Sequence, residues 1–140
     1  MRSGPIILIE DDRDDKEVFQ DILTELHIAN PIVWFQNGED AFSFLQSTTE
    51  QPFIIFCDLN IPGLSGIEYK RKIDEDKELR KKSIPFVFLS TTVDQKTVNE
   101  AYTQMIVQGF FKKKNSFSEL KETIKLIVNY WEECRHPNSI

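Results

Sequence analysis

The sequence predicts an α/β fold in which a parallel sheet is covered by helices on both faces, and three observations support this. Five short apolar runs recur along the chain, each is followed by a stretch with apolar residues at helical spacing, and the connections between them are short. Strict alternation of this kind builds βαβ units. Runs that are apolar almost throughout, and not at every second position, belong to strands buried on both sides. Right-handed crossovers then leave few topologies, the most economical being a doubly wound, five-stranded sheet in the order 2-1-3-4-5, the flavodoxin-like arrangement.

The first strand is read at Ile6–Ile9, and the helix after it carries Val18, Phe19, Ile22, Leu23 and Leu26 on one stripe. A second strand, Ile32–Phe35, precedes the turn signal Asn37-Gly38 and a helix with Ala41, Phe42 and Leu45 on its inner face. The third, Phe53–Cys57, leads through a turn-rich segment to a helix that starts near Gly66 and carries Ile67 and Ile73. The stretch "DEDKELRKKS" that follows is charged enough to be a solvated helix end and loop. After the fourth strand, Phe86–Leu89, Asp94 is placed to cap a helix bearing Val98, Ala101, Tyr102 and Met105. The fifth strand, Gly109–Phe111, is followed by Phe117, Leu120, Ile124, Ile127, Val128 and Trp131 at helical spacing. These stripes are core positions, and residues 135–140 form a frayed tail on a domain spanning 1–134.

A chain of 140 residues has room for one ordinary domain. Hydrophobic residues at 40% and 11 phenylalanines suffice for a core, while a net charge of −6 argues against direct contact with a nucleic-acid backbone. The one basic run, Lys112 to Lys114, is too short to reverse that. No window approaches the roughly 20 apolar residues of a membrane span, and the N-terminal apolar run is far short of a secretory core, so a cytoplasmic location is expected. Cys57 and Cys134 make neither a disulfide framework nor a metal spacing. Cys57 reads as a small core residue.

Ligands of a doubly wound sheet bind beyond the carboxyl ends of its strands, near the point where strand order reverses. The residues there are Glu10, Asp11 and Asp12 after the first strand, Asp58 and Asn60 after the third, Ser90, Thr91 and Thr92 after the fourth, and Lys113 after the fifth. Neighbouring first and third strands would gather Glu10, Asp11 and Asp58. Converging carboxylates repel unless a cation or an ammonium sits among them. An oxygen-only donor set suits Mg2+, with Mn2+ as an alternative, whereas His27 and His136 offer no zinc spacing. A divalent ion, a carboxylate, a hydroxyl and an ammonium together can accept a phosphoryl group, with Asp58 as nucleophile.

Each feature also has a plainer explanation. The acids of "EDDRDD" suit a helix N-terminus, and Asp14 and Asp15 are read that way. Asp58 is also a turn acid ahead of Pro62 and Gly63, the Ser90–Thr92 run a capping cluster, and Lys113 part of a solvated basic run. What favours chemistry is that all four groups fall on one rim.

The motifs "IILIEDD", "NGEDA", "DLNIPGLSG", "IPFVFLST" and "GFFKK" cover nearly the whole chain, and together they resemble the receiver domains of two-component response regulators. The "DLNIP" form is similar to stand-alone receivers, some of them paired with light-sensing kinases. This resemblance implies that Asp58 is the phospho-accepting aspartate and that Glu10 and Asp11 are the acid pair that handles the metal. Asp11 would be a direct ligand, joined by Asp58 and the main-chain carbonyl of Asn60. It also implies Ser90 as the switch hydroxyl, Lys113 as the conserved ammonium of the family and Phe110 as the switch aromatic, with Asn60 and Thr92 beside the path of hydrolytic water and Thr91 between Ser90 and Thr92. The implied partners are a sensor histidine kinase or phosphotransfer protein as donor and a downstream protein that reads the face of the fourth helix, fifth strand and fifth helix, with Tyr102 as a reporter. A homodimer is compatible with the sequence, and the role is signal relay and not metabolic catalysis.

Two departures stand out. Lys114 occupies the place of a proline that the family often joins through a cis bond, and a cis bond here would cost roughly 3–4 kcal/mol, so Lys112 or Lys114 competes with Lys113 for the pocket. Phe110 replaces a frequent tyrosine and has no hydroxyl. Two other readings remain: a phosphatase with an Asp-x-Asp nucleophile motif, which "DLN" on the third strand breaks, and a degenerate receiver that acts only as an interaction module.

Overall fold

The computed structural model describes residues 4–63, 65–91, 94–104 and 108–134. Five strands, β1 (Ile6–Ile9), β2 (Ile32–Phe35), β3 (Ile54–Cys57), β4 (Phe86–Ser90) and β5 (Gly109–Lys112), form one parallel sheet in the order β2-β1-β3-β4-β5. The helices are α1 (Arg13–Glu25), α2 (Gly38–Ser47), α3 (Gly66–Glu75), α4 (Lys77–Lys82), α5 (Gln95–Gln104) and α6 (Phe117–Glu133). The anticipated strands match to within a residue at each end.

Side chains alternate across the sheet because successive residues of a strand point to opposite faces. Ile7, Ile9, Ile55, Cys57, Phe86 and Phe88 pack with α2, α3 and Ala101 of α5. Ile6, Leu8, Ile54, Phe56, Val87 and Leu89 pack with α1 and α6. Every residue of β1, β3 and β4 is buried, as strands flanked by two helical layers must be, whereas the edge strand β2 is half-buried throughout. Cys57 is a core residue at 1% exposure, as anticipated.

The helix starts are set by local polar side chains that accept otherwise orphaned amides. Asp12 accepts from Asp14 and Asp15, Asn37 from Asp40, and Asp94 from Thr97. Ser65 and Glu68 form a reciprocal capping box at α3. One expectation is corrected. The charged segment after α3 is not a helix end and loop, because Asp76 accepts from the amides of Glu78 and Leu79 and starts a separate helix, α4. Leu79 anchors it in the core at 3% exposure, and Ser83 ends it in the left-handed conformation. The anticipated fourth and fifth helices are therefore α5 and α6. Thr92, Met105 and residues 135–140 lie outside the described residues.

Register levels the functional rim. Ile9 stands opposite Cys57, so β1 and β3 stop side by side, and the amide of Asp58 donates to the carbonyl of Ile9 at 3.1 Å. Ser90 stands opposite Lys112, and the Lys113 amide donates to the Ser90 carbonyl at 2.8 Å. No cis peptide occurs among the described residues, so the Lys113–Lys114 bond is trans.

Candidate functional site

Where β1, β3, β4 and β5 end, Glu10, Asp58, Ser90 and Lys113 meet. Lys113 Nζ lies 2.7 Å from Glu10 Oε1 and 3.5 Å from Asp58 Oδ2. Ser90 Oγ donates to Asp58 Oδ1 at 3.1 Å, and the amide of Asn60 donates to the same oxygen at 3.0 Å. Asp58 Oδ1 is thus held by two donors, while among the described residues Oδ2 faces the Lys113 ammonium. Ser90 is fully buried, and the side chains of Asp58 and Lys113 are 12% and 11% exposed, so their charges act through a medium much less polar than bulk water.

Glu10 shows the strain of that environment. Its carboxyl is raised to about 7 overall: burial is the largest cause, the Lys113 hydrogen bond and charge oppose it, and the Asp58 charge adds to it. Burial also disfavours the Lys113 ammonium, but its hydrogen bond to Glu10, with the charges of Glu10, Asp58 and Asp15, more than offsets this and keeps the ammonium charged. The Cys57 thiol is held protonated by burial, reinforced by the nearby Asp58 and Glu10 charges.

Asn60 and Thr91 are exposed beside the site, and Phe110 is half-buried with its ring 5.3 Å from Phe88. Lys112 and Lys114 are exposed, so Lys113 is the lysine in the pocket. Asp11 is exposed on the same rim, between Glu10 and the cap residue Asp12. Among the described residues no group of three or more acidic, histidine or cysteine side chains is arranged to hold a metal ion. Glu10 and Asp58 converge on the Lys113 ammonium instead. The acidic side chains of this rim, Glu10, Asp11 and Asp58, offer oxygen donors alone, a chemistry that suits a hard divalent ion and not zinc.

Three contacts were not legible in the sequence. Asp15, read as a plain helix-terminus acid, also reaches Lys113 at 3.5 Å. The indole Nε1–H of Trp34 on β2 donates to the carbonyl of Glu10 at 2.6 Å. Gly66 packs so closely that a Cβ there would stand 2.7 Å from the Asp58 carbonyl oxygen. Each depends on which elements become neighbours, which a residue type alone does not reveal.

The family model for the response regulator receiver domain matches residues 6–125. The chain belongs to the response regulator receiver family. This receiver is 28% identical to the response regulator Rcp1 of Synechocystis over 133 residues, which spans 91% of this chain and 88% of that protein. It superimposes on the phosphorylated cyanobacterial phytochrome response regulator RcpA with a TM-score of 0.85 and 26% identity, covering 98% of the receiver and 99% of RcpA. The Mn2+-bound form of Rcp1 gives a TM-score of 0.82 at 25% identity, with 98% and 99% of the two chains covered. No helix among the described residues is long and apolar enough to cross a membrane.

Proposed function

We propose that this receiver accepts a phosphoryl group on Asp58 from the phosphohistidine of a sensor kinase or phosphotransfer protein in the cytoplasm, and passes the signal to a downstream protein. One observation carries this reading: a carboxylate at the end of the central strand has one oxygen pinned by Ser90 and Asn60 while the other faces an ammonium at the rim. Pinning Oδ1 fixes the direction of the Oδ2 lone pairs. In-line attack by Oδ2 on phosphorus forms the acyl phosphate as the phosphorus–nitrogen bond breaks, and the departing imidazole keeps the electron pair. Lys113 and Ser90 are then placed to bind the oxygens of the transferred group.

Asp11, Asp58 and the Asn60 carbonyl would hold Mg2+ or Mn2+, with Glu10 beside them. The ion supplies charge neutralisation when bound. Once Ser90 turns from Asp58 toward a phosphoryl oxygen, the space beside it opens to Phe110, which already packs against Phe88 of β4. The face of α5, β5 and α6 then repacks, with the exposed Tyr102 on α5 as its reporter. This is a shift between two populations and not a new fold. Asn60, exposed beside the site, flanks the approach of hydrolytic water and governs how fast the receiver dephosphorylates itself.

Asp58→Asn tests the reading. Mass spectrometry after incubation with acetyl phosphate and Mg2+ is expected to show addition of one phosphoryl group to the natural chain and none to the variant. Full labelling of the variant would move the acceptor elsewhere. A natural chain that neither labels nor binds beryllofluoride would instead be an interaction module.

A further inference from the structure

We propose that Trp34 is a positioning residue for the Glu10–Asp12 turn, holding Asp11 ready for a divalent cation through its indole N–H bond to the Glu10 carbonyl. The role deepens the proposed function and rests on its reading of Asp11 as a metal-binding acid.

The argument starts from the end of a ladder. In the β1–β2 pair the Ile6 amide donates to the Pro31 carbonyl at 2.8 Å, and the Glu10 amide donates to that of Phe35 at 3.0 Å. Strand β2 ends at Phe35, so the Glu10 carbonyl lies one rung beyond the paired residues. Trp34, whose Cα stands opposite Leu8, reaches forward across the strands, and its Nε1–H donates to that carbonyl at 2.6 Å. A carbonyl left without a donor at the edge of a buried sheet is costly, so the indole replaces a rung that the sheet has stopped supplying.

The same ring also holds the far side of the turn. Lys16, whose amide donates to the Asp12 carbonyl at 3.0 Å in the first turn of α1, has its ammonium 5.0 Å from the Trp34 ring centroid. Within the turn, the Asp12 amide donates to Glu10 Oε2 at 3.2 Å, and the Asp12 side chain caps α1. Both neighbours of Asp11 are therefore tied down, while its own carboxylate is exposed. A ligand held this way loses little freedom when it takes up an ion.

Trp34→Phe separates the N–H from the ring, since phenylalanine retains the apolar packing and the cation–π partner for Lys16. Labelling by acetyl phosphate is measured against Mn2+ concentration, and amide hydrogen exchange is measured in EDTA. The half-saturating Mn2+ concentration is expected to rise about tenfold, with the rate at saturating metal within about twofold. Exchange at Asp11, Asp12 and Arg13 is expected to quicken while β3 and β4 stay protected. Unchanged metal dependence together with unchanged exchange overturns the proposal, as does a loss of rate that saturating metal does not restore. If the natural chain neither binds Mn2+ nor labels, the reading of the site fails, and the exchange comparison alone decides whether Trp34 holds the turn.

Discussion

One ammonium sets how much negative charge the rim can carry. Lys113 lies within ion-pair distance of Glu10, Asp15 and Asp58, and it does for these carboxylates what a bound cation would otherwise do. Glu10 remains the strained member, because burial holds its carboxyl near 7 against an ordinary 4.5. Between those values the folded state keeps a proton that the unfolded chain has released. Stability is therefore expected to fall as pH rises through this window and to level off above 7, by on the order of 3 kcal/mol. Urea unfolding in EDTA at a series of pH values checks this, with Glu10→Gln as the control that loses the slope. A wild-type slope matching that of the variant would show that Glu10 does not titrate there. Asp58, Ser90 and Lys113 were legible as candidates because each ends a strand. The contact of Asp15 was not, since an acid in the first turn of a helix looks alike whether it faces water or a lysine brought from almost a hundred residues away.

Among the elements, α3 bears most directly on the site. Its first residue, Gly66, donates its amide to the Leu59 carbonyl at 2.9 Å, and a Cβ there would stand 2.7 Å from the Asp58 carbonyl oxygen and 3.0 Å from Phe88 Cε1. Backbone cannot yield as a flexible side-chain tip does. Gly66→Ala is expected to lower stability by about 1–3 kcal/mol and to slow phosphoryl labelling of Asp58 several-fold by shifting the nucleophile. Urea midpoints at constant slope and labelling time courses measure the two effects, and full retention of both would show that the loop relaxes freely. The charged segment after α3 shows where pattern reading stops. Its composition matched a solvated loop, yet Asp76 caps a new helix and Leu79 supplies its anchor. One buried leucine among lysines and glutamates makes too faint a period to detect, and the packing that rewards it comes from elements distant in the chain.

Taken together, the sheet is a device for levelling chain ends. The order β2-β1-β3-β4-β5 brings the ends of β1, β3, β4 and β5 to one rim, so residues 10, 58, 90 and 113 meet although more than a hundred positions separate the first from the last. A cation that binds this rim in the folded state and not in the unfolded chain raises global stability. At a hundred times its dissociation constant the gain is expected to be about 2.7 kcal/mol. Calorimetry with millimolar Mg2+ should show the melting temperature rise in the natural chain and stay flat in Asp11→Ala, and an equal rise in both would place the ion elsewhere. The alternation of apolar strands and amphipathic helices was enough to establish the fold class, to make this strand order the most economical and to say which residues follow each strand, because these follow from periodicity and chain connectivity, which are local and topological properties. The pairing of Glu10 with Lys113 and the bond from Trp34 to the Glu10 carbonyl followed from folding alone. They join groups remote in sequence, and their distances are set by how two layers of helices pack against a twisted sheet.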